Sequence, residues 1–451
     1  MTSKGWATSA ATRGSSRLGS RVQTCRTCTR HASDIRDTIQ NGIRLIRIRF
    51  RISGAELPDP DVAGLKRYLS YLLLTGQDRE PCKFPVVQSK TGFLNCKRMD
   101  LRSRWEFAHS VASISRNLPA GCKVHALPVR SDWESNAFSN PLPSSPEYLR
   151  FARKITRELF PYDWDRKYGD FVWSHVPNPT ARRVAPRADY FWMCRDREFR
   201  GKCLTGRSLA IDQPVKARYK EVLSAGKLRP LVIYDEESEV LAPLHKTIYD
   251  HLRGHDWLLV GPPTVKKISS VCVRSHQTSV DLVNATDNLS LDVTEAILGS
   301  LLGKSRIPGG IRQYAFMSLR PLIDSDGEGK EVSHGQMMGS YLSFPLLCLH
   351  SYLAALWALR GEEGNVLVNG DDTTVSSNRY LEVSDYPSGY KLNDLKTIRS
   401  ETVVEINSTA FLKGKGGKWR EIRHLRRGGF LTDYPGMLHI AKAVAWSPQW
   451  T

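Results

Sequence analysis

The chain has 451 residues, 41% of them hydrophobic and 25% charged, a composition that supports a sizeable core in two or three subdomains and excludes disorder throughout. Its 65 lysines and arginines against 46 acids give a formal charge of +19, which points to a polyanionic partner, nucleic acid or an anionic membrane surface. Nine cysteines at uneven spacing read as reduced thiols and exclude a disulfide framework.

The first 33 residues hold no acid and carry Lys4, Arg13, Arg17, Arg21, Arg26 and Arg30 among serines and threonines. Too few large apolar residues separate these arginines for an amphipathic helix, so a flexible basic arm is expected, with a mitochondrial presequence as the alternative. Within the arm, Cys25 and Cys28 followed by His31 could begin a zinc site, but a zinc site needs four ligands and no second pair follows within a finger-like distance. Residues 34–53 end in "RLIRIRFRIS", where isoleucine and leucine alternate with arginine, and predict a half-solvated edge strand. "AFSNPLPSSP", 137–146, predicts a surface loop with a helix beginning near Glu147.

Further along, "KARYKEVLSAGKLRPLVIY", 216–234, places Lys216, Arg218, Lys220, Lys227 and Arg229 ahead of an apolar strand. "SVDLVNATDNLSLDVTEAILGSLL", 279–302, predicts a strand ending near Asp281, a loop through Asp287 and a helix capped by Ser290. "GQMMGS", 335–340, is a glycine-hinged loop leading into the apolar run "YLSFPLLCLHSYLAALWAL", 341–359. Ser343, Pro345, His350 and Ser351 make that run a poor membrane span and a better helix buried in a large domain. In "VNGDDTTV", 368–375, Asn369-Gly370 signals a hairpin that sets Asp371 and Asp372 at a tight turn between strands. Adjacent carboxylates repel, and divalent magnesium, which takes a few carboxylates plus phosphate oxygens, is the usual resident of such a turn. Lys391 and Lys396 follow in the polar loop "GYKLNDLKT", and "VVEINSTAFLKGKGGKWREI" predicts two strands around a Gly/Lys turn.

In this order, "GKLRPLVI", "SVDLVNATD", "GQMMGSYLSFPLL", "NGDD", "NDLKT" and "INSTAFLKGKGGKWREI" resemble motifs F, A, B, C, D and E of viral RNA-dependent RNA polymerases. The nearest likeness is to the ourmiavirus-like group, the botourmiaviruses, kin to narnaviruses and leviviruses, and it spans residues 210–425. The resemblance implies an α+β right-hand polymerase of fingers, palm and thumb, with an antiparallel palm sheet backed by helices. It divides the chain into a basic arm (1–53), fingers and an N-terminal extension with motif F (54–270), a palm with motifs A to D (271–412), and motif E with a minimal or incomplete thumb (413–451).

By the same resemblance Asp281, Asp371 and Asp372 bind two magnesium ions, with manganese as a substitute, and Lys396 is the general acid for pyrophosphate, with Lys391 its competitor. Lys227 and Arg229 meet the incoming triphosphate, Asp287 and Ser343 sense the ribose 2′-hydroxyl, and Gly339 and Ser340 form the flexible turn of motif B. Leu347 stands where picornavirus-like polymerases carry asparagine, so that part of the ribose network is absent or built differently here. The implied partners are viral RNA template, nascent RNA, nucleoside triphosphates and host factors; no capsid, protease, helicase or methyltransferase motif is visible, and the implied location is the host cytoplasm. Two competing readings are a reverse transcriptase, whose motif C usually reads Tyr-x-Asp-Asp, and a non-catalytic RNA-coating protein, which explains the charge but not the ordered motifs.

Overall fold

The computed structural model describes residues 26–50, 101–114, 118, 129–176, 196–224, 227–325, 328–393 and 396–424. The expected basic arm lies outside the described residues as far as Cys25, whereas from Arg26 onward it is helical and not a flexible arm; the expected thumb after residue 424 and the side chains of Cys28 and His31 also lie outside the described residues. The chain forms two compact units, one of residues 1–129, 222–229 and 422–451, the other of 130–221 and 230–421.

In the first unit, α1 (Arg26–Phe50) packs against α2 (Leu101–Ile114). The edge strand expected over 34–53 is therefore helical as far as Phe50. Its arginine alternation satisfies a period of two only after Gly42, whereas Ile39, Ile43 and Ile46 lie on one helical face and are buried. A β-carbon on Gly42 would come within 2.7 Å of the Ile114 side chain, so the two helices approach closely where glycine allows it. Glu106 receives Arg49 Nη2 at 3.2 Å and Arg102 Nε at 3.0 Å, which accounts for a carboxylate buried between them.

The second unit is mixed α and β. Its central sheet is antiparallel, in the order β6-β7-β3-β8, from β3 (His276–Val280), β6 (Gly364–Asn369), β7 (Asp372–Ser377) and β8 (Ile398–Ser400). These strands are rich in valine, threonine and serine, residues suited to a pleated surface covered on both sides. Thr278, Ser376 and Ser377 are buried, and each hydroxyl finds a backbone partner: Leu381 N, Arg274 N and Arg379 O respectively.

One side of the sheet is covered by α12 (Ser343–Leu359), the apolar run anticipated as a buried helix. Among the described residues no helix is long and apolar enough to cross a membrane. The helix also packs on α10 (Leu291–Leu302) and α4 (Pro146–Leu159). As expected, α4 follows the proline-rich loop; Ser145 caps it by accepting from Tyr148 N, and Pro146 occupies the first turn, where a missing N–H costs nothing. A small apolar cluster of α8 (Val265–Val271) with Leu367, Val404, Ile406, Phe411 and Trp419 joins the central sheet to a third one.

The cations expected ahead of an apolar strand instead lie within a hairpin, β1 (Lys216–Ser224) and β2 (Lys227–Tyr234). The hairpin belongs to a sheet in the order β2-β1-β4-β5, completed by β4 (Leu322–Ser325) and β5 (Glu328–Glu331); β1 and β4 are parallel. The two strands expected after Val403 are three, β9 (Val403–Ile406), β10 (Thr409–Lys413) and β11 (Trp419–Glu421). Asn407 and Ser408 have φ of 49° and 54°, the left-handed pair that closes a two-residue hairpin, and this splits the first expected strand in two.

Candidate active site

Strand β3 pairs with β7 so that Val280 faces Thr373, and the register carried one residue further sets Asp281 opposite Asp372. Two carboxylates far apart in the chain thus meet at one end of the sheet because two strands run antiparallel. On the other side of β7, Asn369 pairs with Asp372, leaving Gly370 and Asp371 as the central residues of a two-residue turn. Gly370 has φ of 66° and Asp371 has no positive φ, the pattern of a turn with glycine first. The hairpin is the one expected, but its tip lies one residue later than Asn369-Gly370 suggests. Asn369 instead donates its side-chain amide to Leu259 O at 2.9 Å.

The helix behind the sheet holds this turn. Ser351 Oγ donates to Gly370 O at 2.7 Å, Gly370 N donates to Cys348 Sγ at 3.3 Å, and the Phe344 ring lies 3.3 Å from where a β-carbon on Gly370 would be. Of the polar residues that spoil a membrane span, Ser351 is the one that grips the turn.

Charge accumulates at the tip. Burial, then Asp371, Glu405 and Asp281, raise the Asp372 carboxyl to about 7, against one lowering hydrogen bond from the Asn407 backbone. Glu405 was not anticipated from the sequence; its only signal is a lone acid in the apolar strand "VVEI". Its N–H donates to Ser279 Oγ at 2.9 Å and its carbonyl accepts from Thr374 Oγ1 at 3.2 Å, which fixes β9 across β3 and β7.

A cation stands beside these acids, with Lys396 Nζ 3.5 Å from Asp281 Oδ2. Its loop runs along the end of β3: Val283 N donates to Lys391 O, and Asn393 N to Asp281 O, each at 2.8 Å. Lys391 is exposed and its charge acts on His334, whose pKa is lowered by burial first and by Lys391 second. Of the two candidate lysines, Lys396 is the one whose ammonium reaches a carboxylate among the described residues. Among the described residues no three histidine, cysteine, aspartate or glutamate side chains converge closely enough to form a ready metal centre.

Asp287 lies in the short helix α9 (Ala285–Asn288) and not in a loop, because Asn284 turns the backbone left-handed at φ 45° and starts a helical turn early. It does not cap α10; Ser290 occupies that position, with its hydroxyl donated to Asp292 Oδ1 at 2.5 Å. The Asp287 carboxylate makes no hydrogen bond to a described residue, and burial raises its pKa. The glycine-hinged loop of residues 335–340 crosses this helix: Gln336 N donates to Thr286 O at 2.7 Å, and a β-carbon on Gly335 would meet Asp287 O at 2.7 Å. Gln336 is buried with both side-chain polar atoms unpaired among the described residues, a feature without a signal in the sequence.

Gly339 leaves no room for a side chain. Its φ is 116° and a β-carbon would lie 2.0 Å from Val232 O, while Val232 N donates to Met338 O at 2.8 Å. Ser343 begins α12 with its N–H donated to Ser340 O at 3.3 Å, and Ser340 Oγ accepts from Leu342 N at 3.4 Å. Asp281, Asp371, Asp372, Lys396, Asp287, Gly339, Ser340 and Ser343 thus all belong to the second unit. Lys227 and Arg229 belong to the first, on the part of β2 where Arg229 is exposed. No protein-family model matches the chain, and no curated protein matches it.

Proposed function

We propose that the chain is a viral RNA-directed RNA polymerase of the ourmiavirus-like group, with a right-hand architecture, that replicates a positive-strand genome from nucleoside triphosphates. The observation that carries this reading is the convergence of Asp281, Asp371 and Asp372 on one sheet end, with Lys396 against Asp281. Ion pairing explains one carboxylate there, and the repulsion among the others calls for further positive charge.

The donor set suits a hard cation. It offers carboxylate oxygens only, and magnesium typically binds through one or two carboxylates with waters and substrate phosphates, without a ready protein cage. Asp281, Asp371 and Asp372 would hold two magnesium ions, or manganese in their place, whose chemistry is to favour the ionised primer 3′-hydroxyl and neutralise the triphosphate. Lys396 would give a proton to departing pyrophosphate, a reading its 3.5 Å contact with Asp281 Oδ2 supports. Asp287 offers an acceptor to the ribose 2′-hydroxyl, and its own carboxylate awaits a partner. Arg229 and Lys227 supply cations suited to triphosphate oxygens. Viral RNA template and nascent RNA would be the macromolecular partners, host factors would assist, and the host cytoplasm would be the setting.

Single-nucleotide extension of an RNA primer on an RNA template tests the reading. Wild type should add GTP opposite cytosine, whereas Asp281→Asn and Asp371→Asn should each lose about a thousandfold or more in rate, with RNA binding retained. Equal rates in mutant and wild type would refute the assignment. A wild-type preference for dGTP would move the chain to the reverse transcriptases, and RNA binding without any extension would leave a coating protein.

A further inference from the structure

Outside the carboxylate cluster, the second unit holds a buried chain of charge that the proposed chemistry does not use. Glu239 lies in a 3-10 turn over Glu236–Leu241 and is 1% exposed. His175, just after α5 (Tyr168–Trp173), meets its Oε1 through Nε2 at 2.8 Å. Lys246, on α7 (Ala242–Leu252), meets His175 Nδ1 through Nζ at 3.3 Å. Because an ammonium can only donate, Nδ1 accepts and the histidine carries its proton on Nε2, donating it to Glu239. Glu239 Oε2 accepts from the Tyr341 hydroxyl at 2.7 Å.

A buried carboxylate is costly unless paired and hydrogen-bonded, and here an ammonium one ring away, an imidazole N–H and a phenol meet that need. The position of Tyr341 gives the arrangement a consequence. It directly follows Ser340 and precedes Ser343, and its carbonyl is held by His245 Nδ1 at 2.6 Å. The same stretch, Val232 to His245, also holds Met338 O through Val232 N at 2.8 Å. Gly335 and Gly339, both at positive φ, flank the residues between them, so the loop is pivoted at its glycines and pinned at its side chains.

We propose that Glu239, braced by His175 and Lys246, is a positioning residue that fixes the Gly339–Ser343 turn through Tyr341 and so sets selectivity for the nucleotide sugar. The inference rests on the polymerase reading. Tyr341 and Glu239 touch no substrate; they determine where Ser340 and Ser343 stand. Loss of the hydrogen bond between phenol and carboxylate should loosen the turn and admit a sugar lacking the 2′-hydroxyl more readily, in preference to slowing all substrates equally.

The test compares wild type, Tyr341→Phe and Glu239→Gln in the full chain, by kcat/KM for GTP and dGTP, thermal unfolding, and hydrogen exchange of the turn amides. Tyr341→Phe, which removes one oxygen, should lower the GTP-to-dGTP ratio about three- to tenfold and the melting temperature by only a few degrees, as the loss of one of the donors to a buried carboxylate requires. Glu239→Gln should do the same, and the double variant should be no worse than either alone. Turn amides should exchange faster in both. An unchanged ratio, or equal losses with the two nucleotides, overturns the selectivity role, and unchanged exchange overturns the positioning. Wild type that incorporates neither nucleotide refutes the polymerase reading and this inference with it, an outcome distinct from a wild type that discriminates and variants that do so equally well.

Discussion

His350 shows how a single residue can link distant segments through the matching of donors and acceptors. Thr294 Oγ1 donates to Ser290 O at 3.0 Å, so it accepts from His350 Nε2–H at 2.8 Å. Nδ1 then accepts from the Tyr390 hydroxyl at 2.7 Å, and Tyr390 in turn accepts from the Tyr148 hydroxyl at 3.1 Å. A neutral ring satisfies every group in the chain, whereas a protonated one would set Nδ1–H against the hydroxyl proton of Tyr390. Burial pushes the His350 pKa from 6.5 down to about 3. Below pH 6.5 the unfolded chain takes up a proton that the folded chain refuses, so stability is full above that value and falls as pH drops toward 3. The expected loss from this group is about 2 kcal/mol at about pH 5. Urea unfolding of wild type and His350→Gln at about pH 7 and about pH 5 checks it: the variant should lose less on acidification by about that amount, and parallel losses would refute the linkage.

At the scale of elements, the grip of α12 on the turn makes a similar demand. Ser351 is buried and its Oγ is 2.7 Å from Gly370 O, so Ser351→Ala leaves a carbonyl without that donor beside the two acids. The change should cost about 1–2 kcal/mol of stability and lower the rate of nucleotide addition without weakening RNA binding. Thermal unfolding and primer extension measure both, and an undiminished rate would show that the turn needs no support from the helix. The sequence made this helix legible because an apolar run interrupted by Ser343, Pro345, His350 and Ser351 suits a buried helix better than a span. It made the strand–turn–strand of the acids legible for the same local reasons, glycine and β-branched residues in short order. Neither Glu405 nor Gln336 could be found that way, since each acquires its role from strands or helices paired across long separations. The α1 error arose from a short window: "RLIRIRFRIS" has two periods, and the longer stripe through Ile39 decides between them.

At the scale of the molecule, the +19 charge and the acidic tip make opposite demands, and the separation of the two yields a prediction. Many cations are already engaged internally: Arg379 with Glu362 and Asp385, Arg320 with Glu295, Arg306 with Asp163. On α4 the inner face buries Tyr148, Ala152 and Thr156, while Arg153, Lys154 and Arg157 stand exposed on the outer face without an ion pair among the described residues. A polyanion can meet these three without first breaking an internal bond. Affinity for single-stranded RNA should therefore fall linearly on a log–log plot against salt, as released counterions require. Replacing Arg153, Lys154 and Arg157 together by glutamine should reduce the slope by about 2, at roughly 0.7 for each phosphate left without its cation. Asp371→Asn should behave oppositely: it removes repulsion at the tip, so RNA affinity should be unchanged or higher and the slope unaltered, while nucleotide addition collapses. Fluorescence titrations at several salt concentrations measure all three proteins. A triple variant with the wild-type slope would assign the α4 face to solvent alone. Weakened RNA binding in Asp371→Asn would mean that the carboxylates hold the nucleic acid itself, against the division between a basic binding surface and an acidic chemical centre.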